Sequence, residues 1–209
     1  MKTESYEAQT ARWPTSGRHI LAQFDDESVV VYQAYRPSIG NYAATNGDFL
    51  GGGFSLERMS WIKPNFLWMM YRCGWAEKEG QEVVLAITLR RTAFDEILAA
   101  AVPSSHDPRR YATPEDWKLA VQRSDVRLQW DPDHGPGGQP LARRAIQLGL
   151  RGQVLAQFAK PWLLGIEDIT RFVREQHAVY RRGDVLVTPR EDVYPCAPVT
   201  ATQLGIDSE

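Results

Sequence analysis

The chain has 209 residues, 43% of them hydrophobic and 24% charged, with a formal net charge of −2. Those proportions exclude a disordered polyelectrolyte and fit one large globular domain with a substantial core, and the near-neutral balance leaves only a local basic patch as a route to a polyanion. Two cysteines, an N-terminus without an apolar run, and no stretch near the roughly 20 apolar residues that cross a bilayer exclude a disulfide scaffold and a helical span, so a soluble protein of the reducing cytoplasm is expected.

Residues 1–18 are polar, end near Trp13-Pro14, and read as an N-terminal arm that is loosely attached or docked through Trp13. A single globular domain is expected over 19–187, followed by an irregular, proline-containing tail over 188–209. Ser28 to Tyr35, SVVVYQAY, is β-branched and aromatic as a buried strand requires, and Pro37 opens a short helix that ends at Gly47. The glycines at 51–53 form a loop whose backbone can approach a ligand closely. Asn65 to Arg72 reads as a second strand and Glu82 to Leu89 as a third, joined by the turn-like segment CGWAEKEGQ.

Thr92 to Val102 is an amphipathic helix ended by Pro103, and Thr113-Pro114 caps and opens another that runs to about Arg123. Val126 to Trp130 is a short strand, residues 131–140 a turn-rich loop, and RRAIQLGL a further strand. Gly152 to Phe158 and Ile166 to Arg181 show helical periodicity. Strands and helices neither alternate regularly nor segregate into halves, which predicts an α+β fold with a mixed or largely antiparallel sheet and flanking helices.

No GxGxxG follows a strand, and neither GxxxxGK[ST] nor GxSxG occurs, so the commonest nucleotide-phosphate and serine-hydrolase signatures are missing. The four histidines are scattered without i, i+4 partners, and no metal is expected. The densest chemistry lies in Arg58 to Gly80, RMSWIKPNFLWMMYRCGWAEKEG. Trp61, Trp68, Tyr71 and Trp75 offer π faces there, while Arg58, Lys63 and Arg72 offer positive charge, the combination that a nucleotide or an unpaired base needs. The apolar members also suit a core strand, and the cations must either reach water or meet an anion. A second cluster, Tyr32, Gln33, Tyr35 and Arg36, precedes the helix at Pro37, where unpaired N–H groups favour an anion; Arg36 alternatively pairs with a surface carboxylate. Gln129, Trp130 and Asp131 form a third cluster or an ordinary strand end.

Four stretches carry a resemblance: VYQAYRP at 31–37, RMSWIKPNFLWMMYRCGW at 58–75 followed by KEGQ, QWDP at 129–132, and RAIQLGL at 144–150. Over roughly residues 20–185 the chain resembles the family of the domain of unknown function 4291, which implies a single intracellular domain and no particular activity. Two functions are carried forward. By layout the chain is similar to the mixed-sheet ADP-ribosyltransferases, which implies a nucleotide-binding transferase using NAD. Arg36 would then hold the pyrophosphate, with Tyr32, Arg58, Lys63 and Arg72 lining the site. Tyr71 or Trp75 would stack on nicotinamide, and Glu77 or Gln129 would bind ribose hydroxyls and steady an oxocarbenium-like transition state. That family's glutamate on a late strand is not evident here. The alternative is a noncatalytic nucleotide or nucleic-acid binder using the same tryptophans and arginines.

Overall fold

The structure, a computed structural model, describes residues 1–108 and 110–207. The arm carries β1 (Thr3–Ser5), α1 (Tyr6–Thr10) and β2 (Gly17–Arg18). Then come β3 (Leu21–Phe24), β4 (Ser28–Tyr35), α2 (Pro37–Asn46), β5 (Ser60–Ile62), α3 (Phe66–Cys73), β6 (Val83–Arg90), α4 (Arg91–Ala99) and β7 (Ala101–Pro103). The remainder is α5 (Pro114–Arg123), β8 (Val126–His134), β9 (Pro140–Leu150), α6 (Gly152–Ala159), β10 (Leu163–Asp168), α7 (Thr170–Arg181), β11 (Val187–Pro189), β12 (Asp192–Val193) and α8 (Pro198–Leu204).

The fold is α+β. One five-stranded sheet, order β10-β6-β4-β3-β12, is antiparallel throughout. A second, β2-β9-β8-β7 with β5 also on β9, mixes antiparallel and parallel pairs, and β1 pairs with β11 separately. The first sheet is buried on both faces, which is why SVVVYQAY and VVLAITL read as continuous apolar runs. Because strand side chains alternate, Val29 and Val31 with Leu85, Ile87 and Leu89 enter the core shared with the second sheet, α4 and α6. Val30, Tyr32 and Ala34 with Val84 and Ala86 enter a second core under α3 and α7.

Four departures from the sequence reading have local physical causes. Residues 65–72 form a helix, not a strand. The Asn65 side chain accepts from the Trp68 amide at 2.7 Å, Glu191 Oε1 accepts from the Phe66 amide at 2.6 Å, and Gly74 closes the helix in the left-handed region. Residues 163–168, placed partly in a helix, pair with β6 before α7 starts. The expected turn at 131–140 shrinks because β8 continues to His134. The tail, expected to be irregular, holds β12 and α8, whereas the arm takes the docked alternative of the sequence reading: Trp13 is buried and its Nε1 donates to the Glu191 carbonyl at 2.8 Å. Among the described residues, no helix is long and apolar enough to cross a membrane.

Candidate functional site

The strand β4 shows where the core stops and a cleft begins. Its core-facing positions run Val29, Val31, Gln33, Tyr35, and the change to polar groups at Gln33 opens a space between the two large sheets. In the second sheet the alternation works differently, because the polar residues stand on the face turned away from the core. Leu128, Ile146 and Leu148 face the core, whereas the register partners Gln129 and Gln147 line the cleft, with Gln147 Nε2 donating to Gln129 Oε1 at 2.9 Å and to Asp131 Oδ2 at 2.7 Å.

Two adjoining hollows make up the cleft, sharing Gln33, Trp61 and Gly80. The first, of about 380 Å³, has Tyr35, Phe54 and Trp61 as ring surfaces and Arg36 and Arg58 as cations. The Tyr35 hydroxyl and Ser60 Oγ lie 2.9 Å apart, and Gln33 Nε2 donates to Ser60 Oγ at 3.3 Å, which fixes the polar floor. The second, of about 450 Å³, has Lys63, Arg72 and Met69 opposite Gln129 and Gln147. Gly149 admits the indole of Trp61, because a Cβ there would stand 3.0 Å from the ring. The glycine loop packs on α2: Gly52 has φ +65°, and a Cβ would lie 2.4 Å from the Ser38 carbonyl.

Chain geometry at β5 sets the position of Lys63. Ile62 still pairs with Leu148 of the second sheet, and the next residue bridges to Tyr32 of the first, with amide bonds of 2.7 and 3.1 Å in the two directions. Lys63 therefore stands at the seam between sheets, held extended by Pro64. Its side chain is 3% exposed, and Nζ donates to the Trp61 carbonyl at 3.1 Å. Burial, and then the Arg72 charge, lower its pKa to about 7, while Cys73 and Asp131 act the other way.

The helix at 66–73 sorts the residues that the sequence grouped together. At 100° per residue, Met69 and Arg72 point into the cleft, and Leu67, Met70, Tyr71 and Gly74 point the opposite way, into a separate hollow of about 480 Å³. Tyr71 stacks there on His134 with centroids 3.6 Å apart, Trp75 stacks on His177 at 5.0 Å, and Glu77 Oε1 lies 3.5 Å from His177 Nδ1. Thus Arg36, Arg58, Lys63, Arg72 and Gln129 come together, while Tyr71, Trp75 and Glu77 do not join them. Tyr32 contributes backbone only: its ring is fully buried against Phe66, edge to face at 5.5 Å, and burial pushes its hydroxyl pKa well up. The sequence reading missed Ser60, Gln81 and Gln147. For Gln147 the signal was present, a polar residue breaking the apolar run of RAIQLGL.

The charge balance of the cleft is one-sided. Arg36, Arg58, Lys63 and Arg72 line it and, among the described residues, no carboxylate does. None of the four has an ion-pair partner within 4 Å among those residues, and Arg36 meets only the Gly53 carbonyl, at 3.4 Å. Among the described residues, no cluster of three or more His, Cys, Asp or Glu is placed to hold a metal ion.

A family model described as Domain of unknown function (DUF4291) matches residues 19–194. The chain belongs to the DUF4291 family. No curated protein matches it. All four stretches that carried the resemblance, at 31–37, 58–75, 129–132 and 144–150, lie within the matched part of this DUF4291 protein and contribute residues to the cleft.

Proposed function

We propose that the DUF4291 domain binds a nucleotide in the cleft between its sheets and transfers a group from it, with NAD and ATP as the ligands to test. One observation carries this reading: four cations that span residues 36–72 converge on one cleft with no carboxylate among its described lining, in a chain of net charge −2. Arg36, Arg58 and Arg72 are exposed and Lys63 is buried, and four like charges without counter-ions give the cleft a local positive field that favours an anion; hollows of about 380 and 450 Å³ suit a nucleotide rather than a polymer. Arg36 and Arg58 would meet phosphate oxygens in bidentate fashion, the rings of Tyr35, Phe54 and Trp61 would cover a base, and Gln33 and Gln129 would reach ribose hydroxyls. An ADP-ribosyl transfer from NAD would rest on Gln129 in this cleft, because Glu77 lines the other hollow. The two free cysteines, one buried and one half-buried, are in keeping with a cytoplasmic setting.

A thermal-shift series with NAD, ATP, ADP-ribose and a short single-stranded RNA tests the reading. A nucleotide at 100 times its dissociation constant stabilises the native state by about 2.7 kcal/mol, and Arg58→Ala should reduce that shift by weakening affinity roughly ten-fold or more. Stabilisation by RNA alone, with a steep salt dependence, would transfer the cleft to nucleic-acid binding.

A further inference from the structure

Lys63 is the one buried cation of the cleft, and its surroundings suit chemistry better than binding. The backbone is fixed on both sides, by the paired amide bonds to Tyr32 and by Pro64, so the side chain leaves a rigid seam. Nζ has one hydrogen bond, to the Trp61 carbonyl, and among the described residues no carboxylate lies within 4 Å of it. It lines the hollow shared with Arg72, Gln129 and Gln147. Desolvation leads the forces on its charge, Arg72 opposes the charge further, and Cys73 and Asp131 support it; the resulting pKa of about 7 leaves a lone pair on much of the population at neutral pH. A desolvated lysine beside another cation is the arrangement that activates an amine as a nucleophile.

We propose that Lys63 is the nucleophile of the transfer, its Nζ attacking the adenylate phosphorus of a nucleotide with a pyrophosphate bond to form an adenylyl-lysine. The inference rests on the nucleotide reading above. The N–P bond forms as the P–O bond to the leaving group breaks, and the electron pair departs with pyrophosphate from ATP or with nicotinamide mononucleotide from NAD. The Nζ proton passes to solvent. Arg72, in the same hollow, offsets charge on the departing phosphate. In the second half-reaction an O–H or N–H group of the acceptor attacks the adenylate phosphorus, the new O–P or N–P bond forms as the bond to Nζ breaks, and the proton that the acceptor gives up, passed through solvent, restores the amine. This requires Lys63 to touch the reacting phosphorus, whereas Arg36 and Arg58 only hold the nucleotide.

The full chain is incubated with a divalent cation and either ATP labelled at the α-phosphate or NAD labelled at the adenylate phosphate, then denatured. The expected result is protein-bound label that is released by acid and resists alkali, as a phosphoramidate does, on a peptide whose fragmentation places one adenylate on Lys63. Lys63→Met, folded by circular dichroism, should show no label. Labelling from ATP alone or from NAD alone supports the inference and names the donor. Thermal stabilisation of the wild type without labelling, label mapped to another residue, or label surviving in Lys63→Met overturns the nucleophile and leaves the nucleotide site standing. No stabilisation by either nucleotide overturns the site, and the inference with it.

Discussion

At Lys63, the burial that lowers the pKa of the amine also makes it a burden on the fold. The unfolded chain holds this proton until near pH 10.5, while the folded protein releases it near 7. Between these values the unfolded state binds the extra proton, so the contribution of Lys63 to stability improves as pH rises and is worst below 7, where both states are charged and one is buried. Lys63→Met should therefore stabilise the protein at pH 6 by roughly 1–4 kcal/mol, and the gain should shrink as the pH approaches 10. Denaturant melts of both proteins across that range measure it. An equal difference at pH 6 and pH 9 would show that the lysine is not neutralised by folding. Single-residue chemistry of this kind was partly legible. Arg58, Lys63 and Arg72 stand out in the sequence because cations amid aromatics require an explanation, but which of them is buried depends on a crossing between sheets that no local pattern encodes.

The helix α3 is the element on which the site depends most, because it turns Arg72 toward the cleft and Tyr71 away from it. Its right-hand boundary is set by Gly74 at φ +57°, where a Cβ would meet nothing nearer than the Lys78 amide at 3.9 Å. Space is not the obstacle, so Gly74→Ala isolates the backbone strain and should cost about 1 kcal/mol, a fall of roughly 2–4 °C in Tm for a chain of this size. No change in Tm would mean that the left-handed turn is not enforced by its neighbours. The sequence contained the signals for this helix: an asparagine before FLWMM, a glycine after it, and unbranched Leu and Met rather than Val and Ile. A short apolar run such as FLWMM fits a buried strand equally well by length and hydropathy. What decides between them is the cap, and half of that cap comes from residue 191.

At the scale of the whole molecule, the two ends of the chain close around that cap. Glu191 is 2% exposed. Its carboxylate takes the Phe66 amide and Asn65 Nδ2, its own amide donates to Gln9 Oε1 at 2.8 Å, and Gln9 Nε2 donates to Thr188 Oγ1 at 2.9 Å. Burial pushes the Glu191 pKa well up, against the pull of those two donors and of Arg143. Glu191→Ala leaves buried donors without acceptors, and we expect a loss of roughly 2–4 kcal/mol together with faster amide exchange over residues 66–70. Unaltered exchange there would show that the helix stands without it. The central strands β4, β6, β8 and β9 were legible from hydropathy, since each overlaps an expected strand, but one sheet was expected where the fold has two large ones. Docking of the arm through Trp13 was foreseen as an alternative, but the elements of arm and tail were not, because their polar residues are satisfied by each other across the fold and not by neighbours along the chain.

The Phe66 amide and the Glu191 carboxylate that receives it are 125 residues apart. During synthesis, then, one wall of the cleft waits for a residue made long after the wall itself. A nascent chain stalled before Glu191 already carries every cation of the cleft, yet lacks the side chain that completes the cap of the helix presenting Arg72, so that wall of the cleft is finished only once residue 191 has been made.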